Sequence, residues 1–351
     1  MLLYIHIPFC DSKCSYCSFN SYVDRFHLKT DYMLALQKQL TYELERFNAT
    51  PKCIETLFIG GGTPSTVAPE LYQPIFSLLQ PYLSDDAEIT SEANPNSATP
   101  QWLQGMYDLG VNRISFGVQS FNDEKLKFLA RAHKSSDAVK AIKTARQIGF
   151  NHLSLDLIYA TAMDTKELLE HDLDVAFSLP IDHLSAYALT IEEGTPFATT
   201  PEVANEKLSL TTWFIEAIKS RGFDQYEISN FGTYQSKHNL GYWQYKDYIG
   251  LGSGAVGFLK DRRLYPTSSV EAYITNPLEI STELLDDEEI KMEKIFLGLR
   301  STVGVDLDIL SMDEKQRADL LVSEKRVRFK QGRYYNDDFL LSDELALFIT
   351  T

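Results

Sequence analysis

Cysteine is scarce in this chain, with four in 351 residues; Cys10, Cys14 and Cys17 crowd into one short stretch while Cys53 stands alone. That distribution excludes a disulfide framework, and in a reducing compartment such clustering favours a metal site. Long apolar runs are lacking as well. No stretch of about 18 apolar residues occurs, and MLLYIHIPFC has neither the basic nor the apolar region of a secretory signal, so the expectation is a cytoplasmic protein. Positive charge is in deficit, 33 Lys and Arg against 49 Asp and Glu, and the net −16 repels phosphate backbones, so nucleic acid is not expected as a partner. There is no low-complexity tract. A content of 44% hydrophobic and 23% charged residues suits a globular protein with one large domain and one small one.

Short apolar runs alternate with helical periodicity. Leu2 to Ile7 reads as a first strand, and Met33, Leu36, Leu40, Leu44 and Phe47 recur at helical spacing after it. Further strands are expected at Thr56–Ile59, Ala87–Ala93, Arg113–Gly117, His152–Ile158 and His183–Leu189, about one βαβ unit apart. Helices fit between them, with stops at Gly149, Pro180 and Gly222. Six such units predict an α/β fold wound as a barrel or partial barrel over residues 1–222. Residues 223–280 form an aromatic- and glycine-rich binding segment or lid. Residues 281–351, with helices through Ile295 and from about Asp306 to Leu321, then a hairpin around Gln331-Gly332, suggest a small winged-helix-like module.

The cysteines have spacing C-x3-C-x2-C and follow the first strand directly. Structural zinc usually takes four ligands as two C-x2-C-like pairs; no second pair exists, although Cys53 or His6 offers a fourth ligand. A [4Fe–4S] cluster on three thiolates keeps one iron open, which is what a chelating substrate needs. Gly60 to Thr63 and Pro64 follow the second strand, where glycines admit a ligand close to the backbone. Glu92 ends the third strand; Arg113, Ser115, Gly117 and Gln119 share one face of the fourth; Asp156 interrupts an apolar fifth strand and needs a partner. These residues, with Arg131, are all expected at or just past the C-terminal ends of strands, where barrels build their sites. Lys325, Arg326, Arg328, Lys330 and Arg333 are read as a solvated basic hairpin rather than a nucleic-acid surface.

Together, Tyr4-Ile-His6-Ile-Pro8-Phe9-Cys10-x3-Cys14-x2-Cys17, Gly60-Gly-Gly-Thr63-Pro64 and Asn112-Arg-x-Ser115-x-Gly117-Val-Gln119 closely resemble the radical SAM proteins of the oxygen-independent coproporphyrinogen III oxidase family, over nearly the whole chain. The resemblance implies a partial (β/α)6 barrel, a [4Fe–4S] cluster on Cys10, Cys14 and Cys17, and S-adenosylmethionine chelated by the open iron and cleaved to a 5′-deoxyadenosyl radical. By position it implies that Tyr4, Tyr16, Gly61, Gly62, Thr63, Glu92, Gln119, Arg131, Asp156, Thr190 and Val256 contact S-adenosylmethionine. An electron donor such as a flavodoxin or ferredoxin is implied too.

The family has two branches, an enzyme of porphyrin biosynthesis that decarboxylates propionate side chains and a heme-binding chaperone that delivers heme to hemoproteins, some of them at the membrane. Three features favour the chaperone. Phe19 stands where the oxidases have a further cysteine; only nine residues precede the cluster motif, where oxidases carry a long segment; and His238-Asn239-Leu-Gly-Tyr242-Trp243 matches the chaperones' H-N-x-x-Y-W motif, with His238 a candidate heme contact. The oxidase, acting on a porphyrinogen, is the alternative. One departure is local: family members read D-L-I-Y-G-L-P, whereas Asp156-Leu-Ile-Tyr159 continues into Ala160-Thr161-Ala162, which is expected to reshape the loop after Asp156.

Overall fold

The protein, described over residues 1–351 by a computed structural model, begins with six strand–helix units. The strands are β1 (Leu2–Ile7), β2 (Ile54–Gly61), β3 (Leu83–Ala93), β4 (Arg113–Gln119), β5 (His152–Tyr159) and β6 (His183–Ala188). Between and after them lie α1 (Lys29–Arg46), α2 (Pro69–Leu79), α3 (Pro100–Asp108), α4 (Asp123–Phe128), α5 (Ser135–Ile148), α6 (Lys166–Phe177) and α7 (Leu208–Ser220). The strands pair in sequence order, each parallel to the next. That order is the winding of a barrel and not of a doubly wound sheet, whose strand order reverses.

Alternation sets the two faces. Leu3, Ile5 and Ile7 of β1 point outward into the main core with Leu57, Ile59, Ile89, Ile114, Phe116, Leu153 and Leu155, where they meet Leu36 and Leu40 of α1, Leu103 of α3 and Ile142 of α5. The other face carries Tyr4, His6, Thr56, Phe58, Glu88, Glu92, Arg113, Ser115, Asp156 and Ser185, so the barrel interior is largely polar. Helix starts follow from capping residues: the Thr99, Asn122 and Thr165 side chains accept backbone N–H bonds at the starts of α3, α4 and α6.

The barrel stays open because residues after α7 occupy both edges. On the β6 side lie β8 (Asn230–Gly232), antiparallel to β6, and β7 (Asp224–Gln225), antiparallel to β8. After α8 (Lys237–Trp243), the chain crosses to the other edge, where β9 (Tyr248–Leu251) runs parallel to β1, and β10 (Gly257–Leu259), β11 (Arg262–Pro266) and, after α9 (Val270–Thr275), β12 (Ile280–Leu284) extend the sheet. The 223–280 segment thus supplies strands at both margins of one 12-stranded sheet.

The C-terminal residues form α10 (Asp287–Leu299), β13 (Val305–Asp306), α11 (Met312–Ser323), β14 (Arg328–Lys330), β15 (Arg333–Tyr335) and α12 (Ser342–Thr350). They bury a small core of their own, including Ile295, Leu299, Leu321, Tyr334 and Ile349. α11 starts later than the expected Asp306. Ser311 and Glu314 form a reciprocal capping box that fixes its first turn, and Asp306 instead caps a short 3-10 turn. In the basic hairpin, Arg326, Arg328 and Arg333 pair with Glu344, Asp337 and Asp306. No helix is long and apolar enough to cross a membrane.

Candidate functional site

The loop between β1 and α1 is tied at its neck. Cys10 donates its backbone N–H to the Tyr22 carbonyl and Tyr22 donates to Pro8, at 3.0 and 2.7 Å, so the thirteen residues from Cys10 to Tyr22 close on themselves. Inside, the Cys17 N–H turns back to the Cys14 carbonyl at 3.2 Å, and Lys13 Nζ donates to the Phe19 carbonyl at 2.7 Å. The three thiols line one cavity of about 370 Å³ with the Gly61–Pro64 turn, Glu92, Asn94, Gln119, Arg131, Asp156 and Thr190. The glycines there are required by space. A Cβ on Gly62 would lie 3.0 Å from Cys10 Sγ and 2.9 Å from the Ile7 carbonyl, and Gly61 has φ +108° with the His6 ring 2.5 Å from where a Cβ would be.

A polar network braces the thiols. Arg131 donates to Cys14 Sγ at 3.3 Å, to Asn94 Oδ1 at 2.7 Å and to the Gly117 carbonyl at 2.6 Å; Asn94 donates to Thr63 Oγ1 at 3.1 Å, and Thr63 donates to Cys10 Sγ at 3.4 Å. Arg131, expected just past the end of a strand, sits instead in the turn after α4 and reaches the cavity by its length. Its Nε is buried with no acceptor. No three His, Cys, Asp or Glu side chains cluster as the ligands of one ion would. A polynuclear cluster takes one thiolate per iron and does not require that, so the three separate thiols, backed by a cationic donor with a spare N–H, fit a [4Fe–4S] group.

Facing the thiols are two carboxylates. Burial pushes Glu92 up to about 8, the Asp156 charge adds to this, and the Gly61 N–H, 3.1 Å from Oε2, partly offsets it. Burial likewise pushes Asp156 up to about 6 against the pull of Ser185, Arg113 and Ser115, the last 3.4 Å away. Two desolvated carboxylates with no ion-pair partner are a receptor for a cation, and the sulfonium group of S-adenosylmethionine fits that demand. Asp156 keeps its place despite the altered loop behind β5. Ala160 takes φ +61°, and Asp164 accepts the Thr161 N–H at 2.8 Å while pairing at 2.6 Å with Lys125, which also donates to the Ile158 carbonyl.

A second cavity, of about 560 Å³, adjoins the first and shares Phe19, Gly61 and Glu92 with it. Its wall is a chain of rings: Tyr4 against Phe58, Phe58 stacked on His238 at 5.1 Å, His238 edge-on to Tyr242, Tyr242 to Tyr248, and Phe258 between Tyr248 and Tyr245. Of the expected site residues, Tyr4, Val256 and His238 line this cavity, while Tyr16, Gly62, Thr63, Gln119, Arg131, Asp156, Thr190 and the three cysteines line only the first. Tyr4 lies within β1, not at its end, and points inward by alternation.

His238 is 1% exposed, and both ring nitrogens are engaged: Nδ1 lies 2.7 Å from Thr56 Oγ1 and Nε2 lies 2.9 Å from the Tyr242 hydroxyl. Burial pulls its pKa down to about 3, so the ring is neutral, one nitrogen donating and the other accepting. Its helix is anchored by Glu88, which accepts from the backbone of Lys237 and His238 at 2.9 and 3.0 Å and from the Tyr234 and Ser236 hydroxyls.

Asn94, Phe58, Glu88 and Tyr187 were not predicted as site residues. Asn94 follows Glu92 at the strand period of two, the one local signal that was available. Phe58 and Glu88 acquire their place only through pairing with a segment some 150 to 180 residues away, as the separations of 182 for Thr56–His238 and 150 for Glu88–His238 show.

Residues 4–176 match the radical SAM superfamily. The heme chaperone HemW of Bacillus subtilis (strain 168) is 35% identical over 320 residues, covering 86% of this chain and 84% of that protein. The HemW of Lactococcus lactis (strain IL1403) is 30% identical over 350 residues, covering 95% and 90%, and that of Escherichia coli (strain K12) 40% identical over 263 residues, covering 73% and 69%. Among solved structures, coproporphyrinogen III oxidase (HemN) from Escherichia coli has a TM-score of 0.83 at 21% identity, covering all of this chain and 90% of that one, a likeness of fold.

Proposed function

The chain belongs to the radical SAM superfamily, in the family of the heme chaperone HemW proteins, and we propose that it binds a [4Fe–4S] cluster, S-adenosylmethionine and heme and passes the heme to hemoproteins. The observation that carries this reading is the pair of cavities, one lined by three thiols and two unpaired carboxylates, the other by seven stacked or edge-on rings, with Phe19, Gly61 and Glu92 between them. One cavity suits the cluster and its ligand, and the other has the size and the aromatic lining for a large apolar disc beside them.

In this reading Cys10, Cys14 and Cys17 hold the cluster, and Arg131, Asn94 and Thr63 fix the thiol positions. Glu92 and Asp156 supply counter-charge to the cationic ligand. Gly61 and Gly62 admit it, and Tyr16, Gln119 and Thr190 line its flank, with Tyr4 and Val256 on the far side of the shared wall. When bound, the cluster and S-adenosylmethionine supply one-electron cleavage of a sulfonium bond, with a flavodoxin or ferredoxin as the electron source. Heme occupies the second cavity, its faces on Phe58, Tyr242, Tyr248 and Phe258. His238 serves that cavity by fixing Phe58 and Tyr242; ligation of iron through Nε2 would first require the Tyr242 hydrogen bond to open.

Anaerobic reconstitution followed by two assays tests the proposal. Heme retention is expected, with little conversion of coproporphyrinogen III in the presence of S-adenosylmethionine and a reductant. Decarboxylation at a useful rate would overturn the carrier reading in favour of the oxidase. Retention is expected to fall in His238→Ala and to survive better in Tyr242→Phe, which keeps the ring wall.

A further inference from the structure

The basic groups on the wall of the second cavity already have carboxylate partners. Lys246 Nζ lies 2.6 Å from Glu55 Oε2. Arg263, on β11, donates to Glu293 Oε1, with Glu283 3.7 Å away on its other side, and the Tyr245 hydroxyl donates to the second oxygen of Glu293 at 2.5 Å. Tyr245 holds this position with φ +61°, a conformation that a bulky residue keeps only where its surroundings impose it. Glu293 belongs to α10, in the C-terminal module with its separate core, and Glu293 and Leu297 are the residues by which that module reaches the cavity.

Heme is an apolar disc with two carboxylates on one edge. The cavity offers rings for the disc and, at one rim, a guanidinium and a phenol already bound to a carboxylate. We propose that Arg263 and Tyr245 form the subsite for a porphyrin propionate and that Glu293 occupies it in advance, so that heme entry displaces Glu293 and frees α10 from the cavity wall. The inference rests on the heme-carrier reading above. Displacement is favoured over addition because Arg263 is already flanked by two carboxylates, and a third would gather excess negative charge around one cation in a chain of net charge −16. Loading is thereby reported to the C-terminal module through an exchange of carboxylates, with no change at the iron.

The test uses the full chain and two probes, heme and heme dimethyl ester, in which both propionates are masked. Glu293→Gln is expected to tighten heme about tenfold, the size of one charge-assisted hydrogen bond, and to leave the ester unchanged. Arg263→Gln is expected to weaken heme to the level of the ester. Hydrogen exchange over residues 287–299 should rise on adding heme to the unmodified protein and should already be high in Glu293→Gln. Equal affinity for heme and ester in the unmodified protein, or a 287–299 segment indifferent to heme, overturns the subsite while the carrier reading stands. Failure of the unmodified protein to retain either probe overturns the carrier reading itself.

Discussion

Burial pushes Glu92 up to about 8 and Asp156 up to about 6, and the Asp156 charge adds to the rise of Glu92. A cationic ligand placed here, as proposed above, would bind the ionised pair, so its affinity would be proton-linked: weak where both are protonated, stronger as pH rises past about 6 for Asp156 and past about 8 for Glu92. Equilibrium dialysis of S-adenosylmethionine across that interval should show tightening, and Glu92→Gln should abolish its upper part; a flat profile would count against a cation beside these groups. At Ala160 the chain holds an L-residue at φ +61° in a buried turn where family members have glycine. Left-handed backbone costs roughly 1–2 kcal/mol for such a residue and glycine gives back part of that in chain entropy, so Ala160→Gly is expected to stabilise by about 0.5–1 kcal/mol in denaturant unfolding.

At the scale of elements, α8 is seven residues long and too short to persist alone. It stands because Glu88, inside the barrel, accepts two of its N-terminal N–H groups and two neighbouring hydroxyls. Glu88→Ala is expected to lower stability by about 2–4 kcal/mol and to reduce heme retention with it, whereas Glu88→Gln should lose less; unfolding midpoints and heme absorbance together check this. The barrel strands were legible because parallel strands buried outside and functional inside combine apolar alternation with regular spacing. The cysteine loop, Glu92 and Asp156 were legible for the same reason, sitting at or near strand ends. The partner of α8 was not: a strand residue whose role is to cap a helix 150 residues later leaves no periodic trace. Nor was the Arg263–Glu293 pair, joined only when β11 and α10 meet.

Over the whole molecule, architecture separates the two ends. The large barrel and the C-terminal module have distinct cores, and Arg326, Arg328 and Arg333 of the module's hairpin region are paired within the module. With −16 overall, no retention on duplex DNA is expected at moderate salt, which a gel-shift titration checks; retention would give the basic hairpin a role it is not assigned. Phe19 carries a different implication. It is 67% exposed, lies two positions past Cys17, and lines both cavities. Whatever reshapes the cysteine loop therefore moves a wall of the second cavity. With the cluster and heme placed as proposed, iron supply and oxygen exposure would become determinants of carrying capacity, so air-exposed protein that has lost iron should retain less heme than the anaerobic form, and such a carrier would fall idle when a cell has little iron to move.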